Sequence, residues 1–310
     1  MAEQPEAVSA GSCEHVNFLM IMISQAIKYG IRRSWKLKEI LLLFLGINLS
    51  LSLFFLLPYL KTFSDFFSDR LAGQVLGKSN LYLYYAEFYH YMKADVLSGK
   101  RFVLAGAVCY YLISLIFSGG LLFFLGNSRV VKWGIFFKES WNYLWRMLKF
   151  ALLLVSLLFI VTFVDLLIIL PLTNLLPRPF VEDVYFWFYS GAFIFIMLSW
   201  LLVILLFDIC RVILVENDYR SIILTFLESI RFFYRHPVKI VYLNLSLLLL
   251  FATLTFIFWF LQKYIPGSNE WGILLGFCLL QITIYLQYWI KFARYGAILK
   301  FYRILVYNHY

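Results

Sequence analysis

FFKESWNYLWRMLKFALLLVSLLFIVTFVDLLIILP, residues 136–171, decides the fold. Its first part carries Lys138, Arg146 and Lys149 among aromatic and apolar residues, and from Phe150 onward Asp165 is the lone ionisable group. About 20 mostly apolar residues cross about 30 Å of hydrocarbon, so residues 150–172 read as a membrane span. Five more stretches qualify: residues 39–60, 102–125, 185–207, 240–262 and 272–290. The composition agrees, because the 310 residues are 63% hydrophobic and only 14% charged, against about 25% charged in a soluble domain. The sequence therefore predicts an all-α membrane protein with six transmembrane helices. Residues 15–310 form a single transmembrane domain, since no connection has room for a soluble domain of about 50 residues or more.

The same pattern recurs twice. SQAIKYGIRRSWKLKEILLLFLGINLSLSLFFLLP ends at Pro58, and FLESIRFFYRHPVKIVYLNLSLLLLFATLTFIFWFLQKYIP ends at Pro266. Each unit runs from a basic amphipathic segment through a boundary lysine (Lys38, Lys149 or Lys239) into a span that ends at a proline. Three hairpin repeats, each introduced by an interfacial elbow helix, are the simplest architecture. At 100° per residue, Lys138, Glu139, Asn142, Arg146 and Lys149 share one face of the second elbow, opposite Phe136, Ser140, Leu144 and Met147. In the third, Arg220, Ser221, Glu228, Arg231 and Arg235 oppose Ile222, Phe226, Ile230 and Phe233. Such helices lie in the interface, apolar side down and cationic side toward water and phosphate. Arg211, Arg220, Arg231, Arg235, Lys239, Lys138, Arg146 and Lys149 are thus the candidate contacts for lipid head groups.

Charge sets the orientation. With both termini in the cytoplasm, 19 of the 27 Lys and Arg residues fall on the inner side and 8 on the outer, as the positive-inside rule requires. That inner surface suits anionic lipids, and the absence of a long free basic run argues against a nucleic-acid partner. Residues 1–14 are small, polar and acidic and read as a disordered tail without the features of a signal peptide. Cys13, Cys109, Cys210 and Cys278 form no close pair, so neither a disulfide framework nor a metal or cofactor site is expected. LYLYYAEFYHYMK, residues 81–93, reads as an outer-leaflet interfacial helix with tyrosines flanking an apolar stripe. Its Glu87 and His90 have Glu-x-x-His spacing, but a bundle metal site needs a second such pair.

Polar groups inside the spans are the remaining candidates for chemistry. Asp165 is the clearest, and Asn48, Asn244 and Gln281, with Gln287, either line a polar path or join helices by hydrogen bonds. Ser118, Gly119 and Gly120 allow close backbone approach, for packing in preference to a bend. DICRVILVENDYRS, residues 208–221, places Asp208 and Arg211 at ion-pair spacing, and Glu216, Asn217 and Asp218 suit a turn and N-cap before an elbow at Tyr219. Pinning of the connection between spans is expected there in preference to an effector site.

The run through DICRVILVENDYRSIILTFLESIRFF and HPVKIVYLNLSLLLL resembles the repeated unit of bacterial six-helix membrane families, among them the membrane domain attached to glycerophosphodiester phosphodiesterases. The resemblance implies a bacterial inner-membrane location and a lipid-related context. No counterpart of the catalytic barrel of those phosphodiesterases is found here, so no catalytic residue carries over. GxxxxGK[ST], HExxH and GxSxG are also missing, so an enzyme is not expected. The expected function is a non-enzymatic multi-pass membrane protein, either a scaffold or accessory subunit of a membrane complex or a lipid-interacting protein. The alternative is a transporter or channel for a small solute or lipid, using Asp165 and the polar span residues.

Overall fold

The computed structural model describes residues 7–68, 93–127, 131–174, 182–218, 221–263 and 270–307. Among them are eight helices and no strand: α1 (Ala7–Lys36), α2 (Lys38–Ser68), α3 (Lys93–Gly126), α4 (Trp133–Asn174), α5 (Glu182–Glu216), α6 (Ile222–Arg235), α7 (Pro237–Lys263) and α8 (Glu270–Tyr307). Six of these, all but α1 and α6, are long and apolar enough to cross a membrane, the character of a multi-pass membrane protein. Residues 1–6 lie outside the described residues, as do the 81–92 stretch with Glu87 and His90, Arg220 and Pro266. The helix α1 already includes residues 7–14 of the expected tail.

The chain divides into two compact units. The first comprises residues 1–34, 115–247 and 292–310. Within it α4 runs along α5, and α6 packs on both. Its core is aromatic: Phe124, Phe136, Phe150, Phe207, Tyr295, Phe301 and Tyr302 are buried. Two close approaches set this packing. A Cβ built on Gly30 of α1 would lie 2.2 Å from the Ala293 carbonyl oxygen and 2.8 Å from the Ala297 nitrogen of α8. A Cβ on Gly120 of α3 would lie 2.7 Å from the Phe136 carbonyl oxygen of α4, and one on Gly119 2.4 Å from Tyr143 Cβ. Gly119 and Gly120 thus serve packing, because only hydrogen side chains let helices approach so closely. Away from this core, α4 and α5 present bare apolar groups such as Phe159, Trp187 and Phe193, as lipid-facing surfaces do.

The second unit comprises residues 35–114 and 248–291. Gly106 of α3 abuts the Phe55 ring of α2, and Tyr110 of α3 is hydrogen-bonded to Tyr288 of α8. Phe44 and Trp35 pack against Tyr288 and Trp289, with ring centroids 5.9 Å and 6.3 Å apart.

Several expectations need correction. The helices do not end at the prolines: α2 runs past Pro58 to Ser68, and α4 past Pro171 to Asn174. A proline removes one N–H, whereas breaking the helix in hydrocarbon would strand several backbone groups. The elbows also differ from one another. A single residue, Leu37, separates α1 from α2, whereas the second elbow is continuous with its span in one 42-residue helix. The third, like the first, is a separate helix, ending where His236 turns ahead of Pro237, which at the first helical position loses no bond. Its N-cap is Ser221, whose hydroxyl accepts from the Leu224 N–H at 3.3 Å, not a residue of the 216–218 run. The apolar face expected against lipid on the second elbow points inward: Phe136, Ser140 and Met147 of α4 are buried within the protein. On the third, α6 buries Thr225, Ser229 and Phe232, while Ile230 of the expected apolar face is 41% exposed.

Candidate functional site

Two groups of polar residues emerge in the first unit. One is an ionic network built around Asp208, near the end of α5. Asp208 is almost fully buried and faces Arg211 one turn later at 3.8 Å, the pair legible in the sequence. Arg294 of α8 completes the pairing, and the Tyr295 hydroxyl donates to Asp208 Oδ1 at 3.1 Å while Arg211 donates to that hydroxyl at 3.2 Å. Two turns on, Arg303 grips Glu216 through Nε and Nη2, both at 2.8 Å, in the bidentate geometry that makes such pairs strong. Tyr302 donates to Glu228 at 2.8 Å and accepts from Asn217 at 3.0 Å. The network therefore links α5, α6 and α8. Arg211, expected at lipid head groups, has its charge matched by Asp208.

Arg33 of α1 works similarly on α3. Its Nη2 donates to the carbonyls of Phe124 and Asn127, oxygens left without helical partners at a helix end and bearing partial negative charge. Burial lowers the pKa of its guanidinium from the ordinary arginine value, and the two carbonyls compensate the lost hydration.

The second group is the exposed cations of the elbows. Lys138 and Lys149 of α4 and Arg231 and Arg235 of α6 are exposed, and Lys239 at the start of α7 is half-buried. Arg146 instead binds Asp218 at 2.7 Å in an exposed pair. Beside Lys138 and Lys149 runs a bare stripe of Phe137, Trp141, Trp145 and Leu152, of which Trp141 is 72% exposed. Beside Arg231 and Arg235 runs another, formed by Ile223, Leu227, Ile230 and Tyr234, the last 85% exposed. At 100° per residue each stripe centres well over 90° from the face buried in protein. Each of these elbows thus has three faces, against protein, bare apolar and cationic.

The candidate residues within the spans are dispersed. Asp165 of α4 is 5% exposed; Ser199 of α5 donates to its Oδ1 at 3.4 Å, and its Oδ2 is buried with no partner among the described residues. One turn away Trp200 donates to Thr162 at 2.9 Å, so both rungs join α4 to α5. Asn244 of α7 donates to its own helix at Ile240 O, 2.8 Å, while its Oδ1 is buried without a partner among the described residues. Gln281 of α8 likewise has a buried, unpartnered Oε1, and Asn48 of α2 borders a cleft against α3. Among the described residues no group of three or more His, Cys, Asp or Glu is placed to hold a metal ion, and Cys109, Cys210 and Cys278 are free thiols.

Sequence reasoning missed Arg33, Arg294, Tyr295, Tyr302 and Arg303 as structural partners. The run KFARYGAILKFYR, residues 291–303, held a clue in Ala293, Gly296 and Ala297, small residues spaced to make one close-packing face. No protein-family model, curated protein or solved structure matches the chain.

Proposed function

We propose that this chain is a non-enzymatic multi-pass protein of a bacterial inner membrane, with both termini cytoplasmic, that engages anionic phospholipid through its elbows as a lipid-interacting or accessory subunit. The observation that carries the reading is the repeated three-faced elbow. Phe137, Trp141, Trp145 and Leu152 lie bare beside Lys138 and Lys149, and Ile223, Leu227, Ile230 and Tyr234 lie bare beside Arg231 and Arg235. Aromatic and aliphatic groups of this kind partition into the head-group and acyl boundary, while adjacent cations meet phosphate. Each cation near an anionic surface contributes about 1 kcal/mol. The positive-inside count supports the orientation, and the pattern shared by the three repeats supports their treatment as related hairpins. The resemblance to six-helix bacterial families supports the inner membrane and the lipid context.

The test is purification in native nanodiscs followed by mass spectrometry of the retained lipid. Anionic phospholipid is expected to be enriched over the bulk membrane, and the enrichment is expected to vanish in the quadruple variant K138Q/K149Q/R231Q/R235Q. Retained lipid of bulk composition, or enrichment undiminished in the variant, refutes the reading.

A further inference from the structure

The cations of the two elbows differ in spacing. On α6, Arg231 and Arg235 are both exposed and lie four residues apart, about 6 Å along the axis and about 40° around it. On α4, Lys138 and Lys149 are about 16 Å apart along the axis, and Arg146, which would shorten that gap, is held by Asp218. Neither arginine of the α6 pair has an ion-pair partner among the described residues. Glu228, the acid three residues before Arg231, accepts from Tyr302 at 2.8 Å. The surroundings fix the depth of the pair. The apolar stretch of α7 opens at Pro237, two residues after Arg235, and Ile230 and Tyr234 lie bare beside the pair. With the elbows as lipid contacts, both guanidiniums therefore lie at the level of phospholipid head groups.

Resting on that lipid role of the elbows, we propose that the Arg231–Arg235 pair selects a phospholipid with two phosphates on one short bridge, a diphosphatidylglycerol, with one phosphate on each guanidinium. Charge and geometry select this occupant, two positive charges against two negative ones. A guanidinium presents a planar fork that grips a phosphate through two N–H donors, whereas a lysine is a point charge. A lipid with a single phosphate answers one fork and leaves the other, one turn away, to a second molecule. A three-carbon bridge holds two phosphates within reach of both forks, so the second contact forms within the same complex and no further lipid has to be captured. On α4 the same lipid gains no such advantage, because its two lysines stand about 16 Å apart. A soluble acidic segment is the poorer occupant, since it would have to displace head groups that already lie at this level.

The test places the full chain in phosphatidylethanolamine nanodiscs that contain phosphatidylglycerol and diphosphatidylglycerol at equal phosphate content. The chain is then extracted in mild detergent and the retained lipid is counted by mass spectrometry. Diphosphatidylglycerol is expected to exceed phosphatidylglycerol about fivefold, phosphate for phosphate, the factor that one more cation at an anionic surface supplies. R231Q/R235Q is expected to bring the ratio to parity. K138Q/K149Q, which removes the same charge, is expected to leave it unchanged, and both variants should keep their helical circular dichroism. Parity in the unmodified chain overturns the proposal and leaves the elbows standing as lipid contacts, whereas retention of no anionic lipid overturns both. A preference that survives R231Q/R235Q, or that K138Q/K149Q abolishes, also overturns the proposal. Should R231Q/R235Q lose helix, Arg231→Gln alone decides, because one fork cannot grip two phosphates, and an undiminished ratio there overturns the proposal as well.

Discussion

Replacing Gly30 with alanine tests the α1–α8 crossing, because the added methyl has no room. It would lie 2.2 Å from the Ala293 carbonyl oxygen and 2.8 Å from the Ala297 nitrogen, both backbone atoms of a helix that cannot swing aside as a side chain does. Ordinary contact near 3.4 Å requires the helices to part by about 1.2 Å. Overpacking of this kind costs about 1–3 kcal/mol, and α1 gains about 1 kcal/mol from exchanging glycine for alanine. The overpacking cost falls at the upper end of its range here, since backbone meets backbone and the neighbouring Gly296 is also in contact. The net expectation is a loss of about 1–2 kcal/mol. Gly46 of α2 is the control, because nothing lies within 4 Å of its added Cβ and only the propensity gain remains. Reversible unfolding in mixed micelles, followed by circular dichroism, should show Gly30→Ala less stable than the parent and Gly46→Ala equal or more stable. Equal shifts for the two variants would refute the close-approach argument.

Four further outcomes follow from the same geometry. Arg294→Met leaves Asp208 buried beside Arg211 alone and should cost about 2–3 kcal/mol, below the usual figure for a broken buried pair because Arg294 is partly exposed; adding Asp208→Asn should recover part of the loss, measured as a double-mutant cycle. Tyr302→Phe removes the bonds to both Glu228 and Asn217, and a loss of about 1–3 kcal/mol is expected in the same unfolding assay. By contrast, Asp218→Asn breaks a solvent-exposed pair with Arg146 and should cost less than about 1 kcal/mol, a difference that disappears at high salt. Asp165→Asn keeps an acceptor for Ser199 and supplies donors at the unpartnered oxygen; stability within about 1 kcal/mol of the parent is expected, and strong destabilisation would show that the carboxyl holds a partner of its own.

Spans were legible because a run of about 20 apolar residues must cross or be buried whatever its neighbours do. The Asp208–Arg211 pair was legible for a related reason, since residues three apart on a helix meet without help from the rest of the chain. Elbow faces were not. Periodicity separates polar from apolar residues on a helix, but each of these elbows buries one face in protein and leaves an apolar one bare, and two apolar faces look alike in sequence. Hence periodicity directs Phe136 and Met147 toward lipid, although Gly120 of α3 draws this face of α4 inward, while Phe137 and Trp141, one residue round the helix, remain bare.

What the sequence determined by itself is therefore what depends on local spacing and total hydrophobicity: helical class and six helices long and apolar enough to cross a membrane. Tertiary structure alone decided which distant charges are matched. Arg294 is 86 residues from Asp208, and Arg303 is 87 from Glu216, separations over which no pattern in the chain announces a partner. Only the folding of α8 against α5 brings such groups together. Once they are buried, pairing is enforced by the cost of leaving a charge unmatched, and Lys138, Lys149, Arg231 and Arg235 are left exposed.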